Sequence, residues 1–458
     1  MKKAHENERH LFSGKLGFVL ASAGSAVGLG NLWRFPYLAA QYGGGVFLLI
    51  YIILAISFGY TMIVAETAIG RMTRKCPIDA FESFSKKPIY RIGGWVTFLI
   101  ALLIVPYYSV IGGWVVKYLA AFCTGGGAEI AEDGKFTAFI SSSDQTLVCF
   151  LVFALLTVGV IYLGVQKGIE RISKFIMPVL VVLAVIICIF VCTRPGAVEG
   201  IKYFLIPDFS HFSYKTVVGA LTQMFYSLSI AMGILITFGS YMKKDISIES
   251  ATTNVEIFDT GIAILAGLMV IPAVFAYSGG EKTAVGGGPS LMFVTLPKVF
   301  MSMAGGGIIG TLFFALVLFA ALTSAIALTE SVVFTLEERF RWSRVKATTI
   351  TGIIILALGS LSCLGYGPWA NFNIFGMQIL DFFDFMTNSI MMPIAALLTC
   401  LLVVRVIGIG KIVLEVEDGG MPFRRKKLFS FMIRWVCPAF VAIILIASLL
   451  SVFGVIKI

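Results

Sequence analysis

Long apolar stretches separated by short polar segments recur along the whole chain. Each stretch has about 18 to 25 mainly apolar residues, enough for a helix to cross a hydrocarbon core about 30 Å thick. Because lipid cannot satisfy backbone hydrogen bonds, such stretches are expected to be helices. Eleven spans are predicted, near residues 15–42, 46–70, 93–123, 145–164, 169–193, 216–241, 253–278, 305–336, 347–364, 374–403 and 429–455. The pattern therefore predicts an all-α, polytopic membrane protein.

The composition and the placement of charge agree with this prediction. Charged residues make up 13% of the chain, against about 25% in soluble domains. The formal net charge is +10, yet the basic residues gather in alternate loops, such as residues 71–75, 86–91 and 424–427. By the positive-inside rule the N-terminus is cytoplasmic and, after an odd number of spans, the C-terminus lies outside. The basic surplus thus indicates topology and contact with lipid headgroups rather than nucleic-acid binding.

The first span contains an interruption, GSAVGLGNLWRFP, from Gly24 to Pro36. Each glycine costs about 1 kcal/mol of helix propensity relative to alanine, and unsatisfied backbone groups in lipid cost more. Close helix packing through Gly24 and Gly28 is one alternative. That alternative does not account for Asn31 and Arg34, so we expect the helix to open here towards a ligand.

The sixth span is interrupted in the same way, at its centre. It reads QMFYSLSIAMGILITFGSYM from Gln223, with small and polar residues between Ser227 and Gly233. Five spans separate the two breaks. Paired breaks at corresponding positions of two halves are typical of secondary transporters with inverted repeats, whose substrate site lies near the bilayer midplane.

Several polar side chains within the predicted spans are candidates for function. The acids are Glu66, Asp259, Glu330, Asp381 and Asp384. Glu66 is expected to accept hydrogen bonds from the free amides of a broken helix, with direct ion binding as the alternative. Thr323 and Ser324 either bond back to the preceding turn or serve as oxygen ligands for a small cation such as Na⁺.

Four motifs, in order along the chain, resemble those of the sodium-coupled neurotransmitter symporters, in particular the bacterial amino-acid transporters of the eleven-span subgroup. They are GSAVGLGNLWRFPY, QMFYSLSIAMG, FAALTSAIAL and LDFFDF. The resemblance covers nearly the whole chain. It implies a transporter core at residues 1–403, formed by two inverted five-helix repeats at about 15–193 and 216–403 with helices 1 and 6 unwound at the midplane. Residues 404–458 would then form a cytoplasmic loop and an eleventh helix.

The resemblance also implies Na⁺-driven uptake by alternating access in a bacterial inner (plasma) membrane, by a monomer or homodimer in contact with lipid. Two Na⁺ sites follow from it. The first would use Ala26, Asn31, Ser227 and Asp259, and the second Gly24, Val27, Ala320, Thr323 and Ser324. Asn254 is the alternative to Asp259 as a ligand. Members that need chloride have a serine where this chain has Ala263, so transport is predicted to be chloride-independent.

A substrate pocket without charged side chains is implied by the same resemblance. Its residues would be Ser25, Ala26, Leu29, Gly30, Ile104, Tyr108, Tyr226, Ser227, Ser229, Ala231, Met232, Ser324, Ala325 and Leu328. Amine-carrying members have an aspartate where this chain has Gly28, and glycine leaves room for a substrate carboxylate. We therefore expect a small, neutral, apolar amino acid. Met232 would adapt to several side chains. An aromatic side chain is the open alternative, which Ile104 would crowd.

The resemblance further implies two gates around this pocket. Arg34 and Asp381 would form the outer gate. Arg9 and Glu338 would form the inner gate near Tyr241, where Glu338 replaces an aspartate of the family and Glu337 is its alternative.

Two other functional classes can be weighed against a sodium symporter. A proton-coupled amino-acid transporter of the same fold would cycle protons on Glu66 or Asp259. A membrane enzyme would need a nucleophile with its base, or a metal cluster. The histidines of the chain, His5, His10 and His211, all fall outside the predicted spans, so we expect no enzymatic activity.

Overall fold

The computed structural model describes residues 11–279 and 288–452, and Arg9 of the predicted inner gate lies outside them. Helices of the described part are named here in chain order. The first half of the molecule contains α1a (Lys15–Ala26), α1b (Gly30–Gln41), α2 (Gly45–Thr73), α3 (Pro88–Cys123), α4 (Ser143–Tyr162) and α5 (Val165–Cys192). The second contains α6a (Tyr214–Ser227), α6b (Ile234–Tyr241), α7 (Ile248–Ser278), α8 (Gly306–Phe340), α9 (Arg344–Gly365), α10 (Ile379–Ile407) and α11 (Lys426–Leu450).

The predicted all-helical membrane architecture is confirmed. Among the described residues, nine continuous helices are long and apolar enough to cross a membrane, and the bent pair α1a and α1b makes a tenth. α6a and α6b are shorter, and together they occupy the sixth predicted span. Apolar side chains on the outer surface remain exposed, such as Leu155 (60%) and Trp435 (66%), as expected of a surface that faces lipid.

Some helix bounds differ from the apolar stretches of the sequence. α3 begins at Pro88 and α8 continues to Phe340, so both helices include polar turns beyond their apolar stretches. α10 begins only at Ile379, because Gly376 adopts a positive φ of 78° in a turn ahead of it. Short helices also lie between the spans, at Pro77–Phe84, Ala197–Leu205 and Ile409–Val416.

The break in α1 is a change of direction over three residues. α1a and α1b meet at an angle of 51°, and Val27 has an extended conformation with φ −76° and ψ 95°. This conformation interrupts the i to i−4 hydrogen-bond pattern, so carbonyl and amide groups around Val27 are directed sideways. The predicted opening of the first span is therefore present.

The break in α6 is longer and uses left-handed backbone conformations. Residues 228–233 separate α6a from α6b, and Ser229 (φ 54°), Ala231 (φ 64°) and Gly233 (φ 77°) all have positive φ. Non-glycine residues in this region carry a strain of about 1–3 kcal/mol each. Contacts with surrounding residues, described below, hold Ser229 and Ala231 in these strained conformations.

Glycine contacts hold α6b against α2. A Cβ atom on Gly70 would lie 2.0 Å from the carbonyl oxygen of Ile236, and one on Gly239 would lie 2.4 Å from that of Thr67. Neither distance is compatible with a side chain, so the two backbones touch directly. α6b, the second half of the broken helix, is thereby packed against the continuous helix α2.

Candidate functional site

A small, narrow pocket lies between the two breaks. It is lined by twelve of the predicted substrate residues: Ser25, Ala26, Leu29, Gly30, Ile104, Tyr108, Tyr226, Ser227, Ser229, Met232, Ser324 and Leu328. Gly28 and Ile234 complete the lining. None of these side chains carries a charge, and Ile104, Met232, Ile234 and Leu328 make part of the wall apolar.

Two predicted substrate residues, Ala231 and Ala325, are not among the residues that line this pocket, and their contact with substrate stays a prediction. The backbone of Ala231 turns towards α2, where its N–H donates to Glu66. Ala325 follows Ser324 on α8, and one residue along a helix rotates a side chain by about 100°, away from the pocket that Ser324 faces.

One end of the pocket is formed by Tyr108 and the α1 break. The Leu29 N–H donates to the Tyr108 hydroxyl at 3.3 Å. A Cβ atom on Gly28 would lie 2.6 Å from Ser324 Oγ and 3.0 Å from Tyr108 Oη. Any side chain at position 28 would therefore enter the space between these two hydroxyls, which explains why this position of the break is a glycine.

Four polar side chains, here called the Asp259 cluster, meet beside the pocket. They are Asn31 of α1b, Tyr51 of α2, Ser227 of α6a and Asp259 of α7. Asn31 Nδ2 donates to Asp259 Oδ1 at 2.8 Å, and Ser227 Oγ donates to the same oxygen at 2.7 Å. The Tyr51 hydroxyl donates to Asp259 Oδ2 at 2.7 Å.

The geometry of the Asp259 cluster favours Asp259 over Asn254 as the candidate Na⁺ ligand from α7. Asp259 has an exposed fraction of 0%, whereas Asn254 is only partly buried. The cluster collects side chains from four helices, two of them adjoining the breaks. A carboxylate with amide and hydroxyl oxygens is the donor set that hard cations prefer.

A second group, here called the Ser324 cluster, joins α8 to the end of α1a. It consists of Gly24, Val27, Ala320, Thr323 and Ser324. Ser324 Oγ lies 3.3 Å from the Gly24 carbonyl oxygen and 3.4 Å from that of Val27. Thr323 Oγ1 bonds to the Ala320 carbonyl at 3.1 Å, and a Cβ on Gly24 would lie 3.2 Å from Thr323 Cβ. Ser324 and Thr323 therefore bring α8 against the end of α1a, and the oxygen atoms of this cluster are all neutral.

Hydrogen bonds between the two breaks close the remaining side of the pocket. Ser25 Oγ donates to Ser229 Oγ at 3.1 Å, and Ser229 Oγ lies 3.1 Å from the Ser25 carbonyl oxygen. Gln223 Nε2 donates to the Gly30 carbonyl at 2.9 Å. The strained backbone at Ser229 is thus fixed directly against the α1 break.

Glu66 has the structural role that was predicted for it. Its Oε1 accepts a hydrogen bond of 2.9 Å from the N–H of Ala231, inside the α6 break. Glu66 is fully buried. The carboxyl group satisfies one of the amides that the break releases from helical bonding.

The outer-gate pair predicted at Arg34 and Asp381 is not formed in this structure. Asp381 accepts a hydrogen bond of 3.3 Å from Tyr366, and the Arg34 guanidinium lies 5.4 Å from the ring centroid of Tyr226. Of the two acids, the electrostatic influence of Arg34 falls on Asp384 rather than on Asp381. Asp384 lies three residues further along α10, nearly one helical turn, and this offset decides which acid faces Arg34.

The end of the pocket around Arg34 is accessible to solvent. Asp381 and Asp384 are exposed, and Arg34 and Tyr226 are partly exposed. Asn388 Nδ2 donates to Asp384 Oδ1 at 2.6 Å. Among the described residues no ion pair within 4 Å joins Arg34 to either acid, so this end is covered by the Tyr226 ring rather than by a salt bridge.

The opposite end, around Tyr241, is closed by aromatic packing and charge. Phe12 is fully buried, and its N–H donates to the Tyr241 carbonyl at 3.1 Å. The Tyr241 hydroxyl donates to Glu330 Oε1 at 2.8 Å, and Arg344 Nη2 donates to Glu330 Oε2 at 2.7 Å. The molecule is therefore sealed at the Tyr241 end and more open at the Arg34 end.

The acids predicted for the inner gate have other partners within the described residues. Glu338 accepts a hydrogen bond from the N–H of Cys76. Glu337 lies 3.3 Å from Arg344 Nη1, in the same group as Glu330. Arg9 falls outside the described residues, so its pairing with Glu338 stays a prediction.

Sequence reasoning missed Tyr51, Gln223 and Ile234. Tyr51 and Gln223 are polar groups in apolar helices and could have been recognised by that property, since such groups need buried partners. Ile234 carries no signal in the sequence, because an apolar residue at the start of α6b is expected whether or not it reaches the pocket.

An all-helical membrane protein in which two broken helices enclose a buried, partly polar pocket belongs to the class of secondary transporters. The sequence profile of the sodium:neurotransmitter symporter family matches residues 9–126 and 136–455. The chain belongs to this family and is a sodium-dependent transporter.

Individual relatives agree with this assignment. The uncharacterized sodium-dependent transporter YhdH of Bacillus subtilis is 35% identical over 89% of this chain and 90% of its own length. An uncharacterized sodium-dependent transporter of Haemophilus influenzae is 35% identical over 86% and 88%. A crystal structure of MhsT in complex with L-phenylalanine is 35% identical, covers 96% of this chain and 100% of MhsT, and has a TM-score of 0.86.

Proposed function

We propose that this protein carries a small, neutral, apolar amino acid into the cell together with Na⁺, by alternating access and without chloride. The observation that carries the proposal is the pocket between the breaks, which is polar at the α1 and α6 backbones, apolar elsewhere and free of charged side chains. The similarity to MhsT, whose structure holds L-phenylalanine, supports an amino acid as the substrate.

The two charged groups of an amino acid would bind at the two breaks. The carboxylate would meet the Tyr108 hydroxyl and the amides of Leu29 and Gly30, a position supported by the 3.3 Å contact between Leu29 and Tyr108. The ammonium would meet oxygens of Ala26, Tyr226, Ser227 and Ser229. Free amides suit an anion and free carbonyls suit a cation, so the broken backbone can bind both ends without charged side chains.

The side chain of the substrate would occupy the apolar wall. Ile104, Met232, Ile234 and Leu328 line that part of the pocket. A buried, unpaired polar or charged side chain would be penalised there. Ile104, 1% exposed, would narrow the wall for an aromatic side chain, whereas the L-phenylalanine in the similar MhsT structure keeps aromatic amino acids in the test panel.

Two Na⁺ ions would accompany the substrate. The first would bind in the Asp259 cluster with the Ala26 carbonyl and the substrate carboxylate, and the second in the Ser324 cluster. Asp259 would supply a permanent negative charge at the first site. That charge, together with Ala263 in place of a serine, supports transport without chloride.

The gates and the topology complete the proposal. Arg34 with Asp384, and Tyr226 with Tyr108, would close the outer end of the pocket. The Tyr241 end would face the cytoplasm, with Arg9 and Glu338 forming its gate. The N-terminus would be cytoplasmic and the C-terminus outside in a bacterial plasma membrane, with residues 1–403 forming the transport core.

Uptake into proteoliposomes tests the transport proposal. Purified protein is given a Na⁺ gradient, a H⁺ gradient or neither, with a panel of radiolabelled amino acids and with chloride replaced by gluconate. We expect uptake of neutral, apolar amino acids that needs Na⁺ and is unchanged in gluconate. Uptake driven by the H⁺ gradient alone would instead establish the proton-coupled alternative, and loss of uptake in gluconate would disprove chloride independence.

A pair of matched variants tests the outer gate. Asp384→Asn removes the acid on which the charge of Arg34 acts, whereas Asp381→Asn changes the neighbouring acid on the same helix. We expect Asp384→Asn to reduce uptake strongly and Asp381→Asn to reduce it little. The reverse ranking would restore Asp381 as the gate residue.

A further inference from the structure

The N-terminal end of α1a is held by one carboxylate of α5. Ser13 N donates to Glu170 Oε2 at 2.8 Å, and Ser13 Oγ donates to Glu170 Oε1. Lys174 Nζ also donates to Glu170 Oε1, at 2.6 Å. The Glu170 side chain is only 3% exposed, so these are contacts of a buried group rather than a surface ion pair.

Glu170 lies directly against the first turn of α1a. A Cβ atom on Gly17 would lie 2.4 Å from Glu170 Oε1, so the glycine provides the space that the carboxylate fills. The residue before the helix, Gly14, offers no side-chain cap. A negative charge near a helix N-terminus is favourable because the free N–H groups there carry partial positive charge.

Other contacts secure the same segment. Lys243 Nζ donates to the Ser13 carbonyl at 3.0 Å, and Gln166 Nε2 donates to the Leu11 carbonyl at 2.8 Å. These bonds reach backbone oxygens and would tolerate small shifts of the chain. Glu170 differs because it contacts both the backbone and the side chain of Ser13 and is itself buried.

The contact at Glu170 is in register with the Ser324 cluster. A Cβ on Gly24 would lie 3.4 Å from Met177 Sδ of α5. Gly17 and Gly24 are seven residues apart, as are Glu170 and Met177, which is about two helical turns or 10.5 Å on each helix. α1a and α5 therefore lie side by side between the Glu170 contact and the Ser324 cluster.

We propose that Glu170 is a positioning residue that holds α1a against α5 in the state closed at the Tyr241 end, and thereby maintains the Ser324 cluster for its Na⁺. The proposal rests on the Na⁺ site assigned to that cluster above. α1a is separated from α1b by the break at Val27, so it can tilt as one rod. Tilting its first turn away from α5 breaks the Ser13 bonds and separates the Gly24 and Val27 carbonyls from Ser324.

Thiol labelling of a buried position on α1a measures this tilt. Ser22 is 1% exposed, and its hydroxyl has no hydrogen-bond partner in the described structure, so Ser22→Cys is a mild change. The exposed Cys123 is replaced by serine in all proteins. Maleimide labelling of Cys at position 22 is then measured in detergent with and without Na⁺, against the same protein with Ser22 intact.

Glu170→Gln keeps the shape of the side chain and removes its charge. We expect this variant to increase the rate at which Cys at position 22 is labelled in the absence of Na⁺ by about tenfold. We also expect the Na⁺ concentration that gives half-maximal protection from labelling to rise about tenfold. Substrate binding at saturating Na⁺ should equal that of the parent, which a general folding defect would not allow. Glu170→Asp should recover part of the protection, and Glu199→Gln, a change at an acid that is 68% exposed, should behave as the parent.

Each outcome of this experiment decides a specific point. Parent-like labelling in a folded Glu170→Gln protein overturns the proposal. If that variant does not fold, Ser13→Ala removes one partner and should speed labelling about threefold, and no change there also overturns it. If Na⁺ protects neither parent nor variant, the Na⁺ site is wrong, whereas the comparison without Na⁺ still decides the role of Glu170.

Discussion

The Asp259 cluster and the Ser324 cluster both include residues of the broken helix α1, yet they differ in charge. Asp259 brings a buried carboxylate with three hydrogen-bond donors around it. The Ser324 cluster contains only hydroxyl and carbonyl oxygens. A cation at the first would be held by a fixed charge. A cation at the second would depend on dipoles that converge only when α1a and α8 are in contact.

This difference assigns different tasks to the two clusters. The Asp259 cluster adjoins the pocket through Ser227, so its cation would also interact with the substrate carboxylate. The Ser324 cluster joins the half-helix α1a to the continuous helix α8, so its cation would respond to any separation of these two helices at the Tyr241 end. Four substitutions test this contrast, from the largest expected effect to the smallest.

Asp259→Ala should have the largest effect. It removes the only side-chain carboxylate of its cluster and leaves the buried donors of Asn31, Tyr51 and Ser227 without this acceptor, at about 1–3 kcal/mol each. We expect Na⁺-dependent substrate binding to weaken by more than about 100-fold, measured by scintillation proximity. Asn254→Ala is the matched control and should bind normally. Strong loss in the control instead would make Asn254 the ligand.

Gly28→Ala should follow. The added Cβ would lie 2.6 Å from Ser324 Oγ, and overpacking of this kind costs about 1–3 kcal/mol. We expect substrate affinity to fall about 30-fold in equilibrium binding. Gly159→Ala, a change at a helical glycine with no atom within 4 Å of the added Cβ, should have no effect. Normal affinity in Gly28→Ala would show that the space at position 28 is not used by the substrate.

Ser324→Ala tests the neutral cluster. It removes the hydroxyl that reaches the Gly24 and Val27 carbonyls, and we expect the Na⁺ concentration for half-maximal binding to rise about tenfold. A Na⁺ titration of substrate binding measures this. Thr329→Ala is the control, because its hydroxyl bonds back to Ala325 on the same helix. An unchanged titration for Ser324→Ala would remove the second Na⁺ from the mechanism.

Tyr51→Phe should have the smallest effect. It deletes one donor to Asp259 but leaves the carboxylate in place, so the apparent Na⁺ affinity should fall only about threefold. The same Na⁺ titration measures it. Tyr118→Phe, which loses a 2.7 Å bond to the Phe293 carbonyl far from the clusters, controls for the loss of a buried hydroxyl. Equal shifts in both variants would argue against a special role for Tyr51.

The sequence predicted most of the pocket but not the register of its outer end. Glycine and polar residues in apolar spans are costly, so they identified both breaks and Glu66 without any knowledge of packing. Asp381 and Asp384 lie three residues apart in similar surroundings. Only the rotation of α10 relative to Arg34 separates them, and the apolar pattern does not specify that rotation.

The partners of Tyr51 and Glu170 illustrate the same limit. Tyr51 and Asp259 are 208 residues apart in the chain, and Ser13 and Glu170 are 157 apart. Nothing local to either residue indicates its partner, because each contact is made by helices from different parts of the fold. A buried polar group predicts that a partner exists, but its identity comes from helix packing.

By itself, the sequence determined the membrane-spanning helices and the two breaks, because both follow from local composition and the cost of polar groups in lipid, whereas the substrate residues were named from the resemblance to the symporter family. The tertiary structure decided which residues interact. Asp384 rather than Asp381 interacts electrostatically with Arg34, Tyr51 donates to Asp259, and Glu170 packs against the first turn of α1a. Those contacts depend on how helices rotate and pack against one another, and many rotations bury a similar apolar surface.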